Sequence, residues 1–221
     1  MKHGFIKVAA AIPEVRVADC KFNSSKMMEL IEQAEREQVE ILCFPELGIT
    51  GYSCADLFLQ QQLLADAEVA LNDILLKTYA FGVIVIAGMP LRVHNRLYNV
   101  AVVFQSGKLL GIVPKSYLPN NNEFYEKRWF ASGIADKPEI IRLNETAVPF
   151  GTNLLFNYQD VLFGAEICED LWVPLPPSTQ HCLHGAELIF NLSASNELIG
   201  KHRYLRQLIE QQSGRCHAGY I

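Results

Sequence analysis

Apolar residues fall into two rhythms along this chain. Short runs rich in β-branched and aromatic residues, bounded by Gly, Pro or acidic positions, predict buried strands over 5–12, 40–44, 82–88, 153–157, 161–167 and 187–192. The stretch "NVAVVFQSGKLLGIVP" predicts a hairpin turning at Ser106 and Gly107. Between these runs the apolar positions recur at helical spacing. Met27, Leu30, Ile31 and Ala34 predict a helix capped at Asn23 or Ser24, and a second helical stretch covers about 56–79. A third is expected over 200–212, with Leu205, Leu208 and Ile209 on one face and Lys201, Arg203 and Arg206 directed outward. Strands alternating with helices, plus hairpins, give an α/β protein with a mixed sheet. No repeat or linker divides the sequence, so residues 1–221 read as one domain. The segment 114–142 follows neither rhythm; its "EFYEKRWF" is too aromatic for disorder, and so long a loop inside a domain points to function.

Composition narrows the class. Half of the 221 residues are apolar, enough for a substantial core, and the net charge of -5 advertises no basic face. Nucleic acid and anionic membrane are therefore not expected partners. The opening "MKHGFIKVAAAIPEVRV" is interrupted by Pro13 and Glu14 before reaching signal-peptide length, and no other apolar run is long enough to span a bilayer. A cytoplasmic location is expected. Six cysteines could form three disulfides, but in a large, core-rich chain without an export signal, reduced thiols are the expectation. In "HCLH", His181 and His184 lack a second ligand pair and predict a polar helix face or loop rather than a metal site. No S-G-G-x-D-S-like, Walker or G-x-G-x-x-G pattern occurs, so no nucleotide cofactor is expected of these residues.

Candidate chemistry sits where strands give way to loops. Glu46 in "CFPELGITGY" follows strand 40–44, Lys115 in "GIVPKSYLP" follows the hairpin, and Cys168 in "GAEICEDLW" closes strand 161–167. A carboxylate, an ammonium and a thiol on neighbouring strand ends can perform acyl transfer as base, oxyanion stabiliser and nucleophile. Each has a plainer reading: a turn cap for Glu46, a solvated loop residue for Lys115, a small buried hydrophobe for Cys168.

"FPELGITGYS", "PKSYLPNNNEFYEKRWF", "VPFGTNLLF" and "GAEICEDLW" together resemble, in that order, the nitrilase superfamily of carbon-nitrogen hydrolases, most closely the glutaminase domains of glutamine-dependent NAD synthetases. The resemblance runs from residue 5 to the end. It implies an α-β-β-α sandwich with mixed sheets, cut short at the C-terminus relative to the family, and an enzyme with a Glu46, Lys115, Cys168 triad. A second family glutamate falls on Glu126, with Glu123 as the competing choice. It further implies hydrolysis of the side-chain amide of L-glutamine through a cysteine thioester. The ammonia would pass to a C-terminal synthetase domain, and ATP and magnesium would serve that domain alone. A homo-oligomer is expected. Tyr52, Phe124, Glu169 and Ser195 match substrate-holding positions, though packing or turn formation explains each as well. Asn121 stands where relatives often carry tyrosine, and Lys201 where they carry a cationic contact, without an arginine's planar fork. Rival expectations are a stand-alone amidase with another amide substrate and a non-catalytic module of the same fold.

The acids around Cys168 carry an energetic implication. Two unit charges about 4 Å apart interact by roughly 4 kcal/mol at an effective dielectric near ~20, equal to about three pKa units. One ammonium thus offsets about one carboxylate. With Glu46 and Glu126 both near Cys168 and Lys115 the sole cation, a neutral resting thiol is expected, Glu46 taking its proton as attack occurs. The backbone N–H of Glu169 should face the developing oxyanion with Lys115 opposite. Glu166, two residues earlier on an extended segment, should project to the same side as Cys168 unless it turns away.

Overall fold

The computed structural model describes residues 4–134 and 136–221. The chain runs β1 (Val8–Ala10), α1 (Cys20–Arg36), β2 (Ile41–Cys43), α2 (Gln61–Lys77), β3 (Ile84–Val93), β4 (Arg96–Gln105) and β5 (Lys108–Pro114). It continues through β6 (Asn120–Asn121), β7 (Phe124–Tyr125), β8 (Glu139–Leu143), β9 (Thr146–Phe150), β10 (Phe156–Tyr158) and β11 (Val161–Ile167). It closes with α3 (Pro177–Leu183), β12 (Leu188–Leu192), α4 (Lys201–Cys216) and β13 (Gly219–Tyr220).

Two mixed sheets result. The larger has the order β1-β2-β3-β4-β5-β9-β8, the smaller β10-β11-β12-β13. Side-chain alternation turns these sheets into four layers. Ile41, Cys43, Ile84, Ile86, Ala101 and Val103 leave one face of the larger sheet and pack against Phe163, Ala165, Ile167 and Phe190 of the smaller. Their strand neighbours Leu42, Val85, Val100 and Val102 point the other way, against Met27 and Ile31 of α1 and Leu71 and Ile74 of α2. Ile189 faces outward from the smaller sheet, in a third cluster with Ala186, Ala218 and the half-buried Cys182 and Cys216. The order is helix, sheet, sheet, helix, as the resemblance implied.

Several local expectations are corrected. The cap of α1 is Asp19, whose carboxylate accepts from Phe22 N–H at 3.0 Å. Asn23 and Ser24 lie inside the helix, and the buried Asn23 amide instead donates to Arg16 O and Ile49 O and accepts from Arg16 N–H. It thus ties α1 to the turn carrying Glu46. The expected 56–79 helix is broken: a 3-10 segment Tyr52–Leu59, interrupted at Ala55 by a φ of 50°, precedes α2. Segment 114–142 holds the β6–β7 ribbon and the start of β8. The β8–β9 hairpin turns at Asn144 and Glu145, both at positive φ. No glycine marks that turn, and Asn is among the few other residues that tolerate the conformation. The hairpin at Ser106 and Gly107 stands as read, both residues at positive φ. His181, expected on a polar face, is buried on α3, its Nε2 3.0 Å from Thr152 O. Its ring packs over Gly164, where a Cβ would lie 2.5 Å from Nδ1. All six cysteines are free thiols. No helix among the described residues is long and apolar enough to cross a membrane.

Candidate active site

Glu46 hangs from a tight turn that follows β2. Phe44 N–H donates to Ile86 O, and after the turn Ile49 N–H donates to Gly88 O at 3.1 Å, clamping the turn onto β3. The approach is so close that a Cβ on Gly88 would sit 2.4 Å from Leu47 N. Only glycine admits it.

Lys115 extends β5 beyond its last strand residue, its N–H donating to Asn99 O at 2.8 Å. Its Nζ lies 2.6 Å from Glu46 Oε1 and 2.7 Å from Glu126 Oε1, and all three side chains are shut off from solvent. Glu126 opens the 3-10 turn Glu126–Arg128 and also accepts from the Tyr52 hydroxyl at 2.8 Å. The structure thus takes Glu126 into the cluster and leaves Glu123 exposed. Tyr52, matched to a substrate position, donates its hydroxyl to Glu126 and lines a separate small cavity with Glu123 and Trp129.

Cys168 follows β11 with φ at +46°. Left-handed backbone at a non-glycine residue is uncommon, and here it breaks the strand's alternation. Cys168 joins the cluster between the sheets, whereas Glu166 faces the outer layer. Glu166 accepts from Ser178 N–H at 2.7 Å and from the Tyr220 hydroxyl. The expectation of a shared side fails because the turn re-aims the cysteine. Cys168 N–H donates to Asn191 Oδ1 at 3.1 Å, and Ser193 Oγ stands 3.3 Å from Cys168 Sγ. Ala194 N–H donates to Glu46 Oε2 at 3.1 Å and also reaches the cysteine sulfur, bringing Glu46 and Cys168 to one backbone donor. Asp170, buried behind the Cys168 turn, accepts from Ile167 N–H, Tyr117 N–H and Ser116 N–H. It fastens the cysteine turn to the lysine loop.

The electrostatics follow from burial. Desolvation and the Glu46 charge push the Cys168 thiol up to about 12, against Lys115, Ser193 and Ala194 N–H, so the resting thiol is protonated. Burial disfavours the Lys115 ammonium, but Glu46 and Glu126 outweigh it and its pKa is raised. Burial and Glu46 raise Glu126, against Lys115. Two of the ammonium's three donors are engaged, leaving the third for an incoming oxygen. Glu46 Oε1 is filled by Lys115 and by Asn99 Nδ2 at 2.7 Å, so Oε2 is the oxygen with room for a proton.

The cysteine forms part of the wall of a cavity of about 230 Å³, lined also by Phe124, Glu169, Trp172, Ser195 and Lys201. Asn121 stands on its rim. Lys201, expected to look outward, turns in: its Nζ donates to Ser195 Oγ at 2.6 Å and to Asn196, 5.4 Å from the Trp172 ring centroid and 5.9 Å from that of Phe124. Burial raises the Glu169 carboxyl, opposed by Lys115 and Lys201. Asn99, Asn191, Ser193 and Asp170 carried no legible signal as site residues, although Asp170 stands within "CEDLW" and Ser193 within "NLSASNE". Among the described residues, no group of three or more His, Cys, Asp or Glu could hold a metal ion.

A four-layer α-β-β-α sandwich with a buried Glu-Lys-Glu cluster beside a cysteine at its strand ends defines a nitrilase-like protein. The chain belongs to the carbon-nitrogen hydrolase family, whose model matches residues 7–215. It is 39% identical over its whole length to glutamine-dependent NAD(+) synthetase from Mycobacterium tuberculosis, and spans 33% of that protein. It is 33% identical to the Aquifex aeolicus enzyme of the same name over 93% of this chain and 33% of that one. The crystal structure of a glutamine-dependent NAD(+) synthetase from Cytophaga hutchinsonii superposes with a TM-score of 0.87 at 32% identity, covering 97% of this chain and 35% of that one. An amidase from Nesterenkonia sp. shares the fold, at a TM-score of 0.76 and 16% identity over 97% of this chain and 76% of that one. The chain therefore spans about a third of the length of the curated relatives.

Proposed function

We propose that the chain is a glutaminase unit that hydrolyses the side-chain amide of L-glutamine and supplies ammonia to a C-terminal synthetase domain that forms NAD. One observation carries this reading: the cysteine beside the Glu46–Lys115–Glu126 cluster opens onto a cavity that also holds a carboxylate, Glu169, and an ammonium, Lys201. Those two charges suit the amino and carboxylate groups of a free amino acid, while the Trp172 and Phe124 rings cover its methylenes.

Attack begins from the neutral thiol. Glu46 Oε2 takes the proton as sulfur bonds to the amide carbon, and the carbonyl electron pair moves onto oxygen. That oxygen meets the third Lys115 N–H and the Glu169 N–H, which lies in the first turn of the 3-10 segment Cys168–Leu171 where backbone donors lack helical partners. Glu46 returns the proton to the departing nitrogen, ammonia leaves, and a water deprotonated by the same carboxylate cleaves the thioester. Glu126 and Tyr52 hold Lys115 in place throughout.

The test is ammonia release across L-glutamine, L-asparagine and simple aliphatic amides. L-glutamine should be preferred by a factor of ~100 or more, as expected when a site's buried charges go unpaired with the poorer substrate. Equal turnover of an aliphatic amide overturns the reading in favour of a free-standing amidase.

A further inference from the structure

Ser193 stands outside the roles assigned above, yet it touches the reacting atom. Its Oγ lies 3.3 Å from Cys168 Sγ, within hydrogen-bond reach for sulfur, and no other hydrogen bond of that hydroxyl is found among the described residues. The two residues sit at the ends of adjacent parallel strands: β11 pairs with β12 from Phe163–Leu188 to Ile167–Leu192, so each residue is the first beyond its strand. The left-handed turn at Cys168 then brings the sulfur in front of the hydroxyl. Cys168 N–H bound to Asn191 Oδ1 supports this register from inside β12, two residues before Ser193.

We propose that Ser193 is a catalytic residue, its hydroxyl donating to the sulfur of Cys168 and stabilising the negative charge that gathers there at the two moments when sulfur is neither protonated nor fully bonded to carbon. The inference rests on the thioester mechanism of the proposed glutaminase. In the first moment the S–H proton passes to Glu46 while the S–C bond forms. In the second, after water has added to the thioester, the C–S bond breaks, its electron pair returns to sulfur, and the proton comes back from Glu46. A hydroxyl donor gains little from a neutral thiol and far more from an anionic sulfur. Its contribution is therefore larger in the transition state than in the resting site, which is the condition for raising kcat rather than lowering KM. Ala194 N–H is shared with Glu46, and Lys115 is occupied by two carboxylates, so Ser193 is the donor that belongs to the sulfur alone.

The experiment compares the wild type, Ser193→Ala and Ser193→Thr, using two readouts. The rate of Cys168 alkylation by iodoacetamide, followed by mass spectrometry across mildly alkaline buffers, reports the thiolate without requiring any turnover. Steady-state ammonia release from L-glutamine reports kcat and KM. Ser193→Ala should slow alkylation and lower kcat by roughly tenfold each, the size of a lost charge-assisted hydrogen bond, with KM little changed. Ser193→Thr, which keeps the hydroxyl, should recover both. An alkylation profile of Ser193→Ala that overlies the wild type overturns the proposal, and so does slower alkylation with unaltered kcat. A protein that releases no ammonia from glutamine but shows the alkylation change defeats the glutaminase reading and upholds the contact between Ser193 and the sulfur.

Discussion

Lys115 Nζ lies 2.6 Å from Glu46 Oε1, and neither side chain has any solvent exposure. A pair so placed cannot lose one member cheaply, because the survivor stays buried without its counter-charge. Lys115→Met should destabilise the fold by about 3–5 kcal/mol, read as a lowered urea midpoint. It should also reduce ammonia release by ~100-fold or more as the oxyanion loses its cation. Adding Glu46→Gln and Glu126→Gln should restore part of the stability and none of the activity. Unimpaired turnover in Lys115→Met would end its assignment to the oxyanion.

Glu46 acts on Cys168 in two opposing ways, and one substitution separates them. Its charge holds the thiol pKa up, while in the proposed mechanism its Oε2 accepts the thiol proton. Glu46→Gln should therefore speed alkylation by iodoacetamide in mildly alkaline buffer, yet lower ammonia release by ~100-fold or more, the usual worth of a general base. Slower alkylation in the variant would contradict the electrostatic account.

Tyr52 donates to Glu126 and lies outside the cavity lined by Cys168. Tyr52→Phe should lower kcat by roughly tenfold, from the loss of one hydrogen bond to a buried carboxylate, and leave KM nearly unchanged. A raised KM with normal kcat would return Tyr52 to the substrate.

The alkaline limb of stability has a defined sign. Burial pushes Cys43 from 9.0 to about 12, and burial with the Glu46 charge does the same for Cys168. A folded pKa above the unfolded one means the folded chain keeps protons that the unfolded chain releases. Stability is unaffected by these thiols below the unfolded value of 9.0 and falls as pH rises toward 12, by up to about 4 kcal/mol per thiol. Urea midpoints measured against pH should show this fall, and Cys43→Ala should flatten it; an unchanged slope would refute the assignment to Cys43.

Two glycines should respond oppositely to alanine. At Gly88 a Cβ would lie 2.4 Å from Leu47 N, so Gly88→Ala should cost about 1–3 kcal/mol and displace the Glu46 turn, with turnover lost. At Gly214, within α4, nothing lies within 4 Å, and Gly214→Ala should stabilise by about 0.5–1 kcal/mol through helix propensity, with turnover kept. Thermal melts and ammonia release on both variants check the contrast.

Several elements were legible from local pattern, though the periodic stretch 56–79 was not one helix. Residues 161–167 and 106–107 carry their strand and turn in local pattern, and the structure holds them there. The hairpin at Asn144 and Glu145 was not legible, since its positive φ values are imposed by the pairing of β8 with β9 rather than by glycine. Asn23 looked like a cap because its side chain favours one. Its amide is drawn instead to Ile49 O, 26 residues away.

By itself the sequence determined an α/β class with mixed sheets, while the motifs around 46, 115, 126 and 168 implied the four layers and the candidate reactive groups through the family they resemble. The structure divides Ile41 and Cys43 from Leu42 between two cores. Tertiary structure decided the partnerships: which glutamate joins Lys115, that Tyr52 serves Glu126, that Lys201 turns inward, and that Ser193 meets the sulfur. It also decided that Cys168 and Glu166 part company at one left-handed residue. The reason is physical: local pattern reports which face a side chain seeks, whereas a bond such as that between Lys115 and Glu46, 69 residues apart, exists only once β2 and β5 have taken their places in one sheet with β3 and β4 between them.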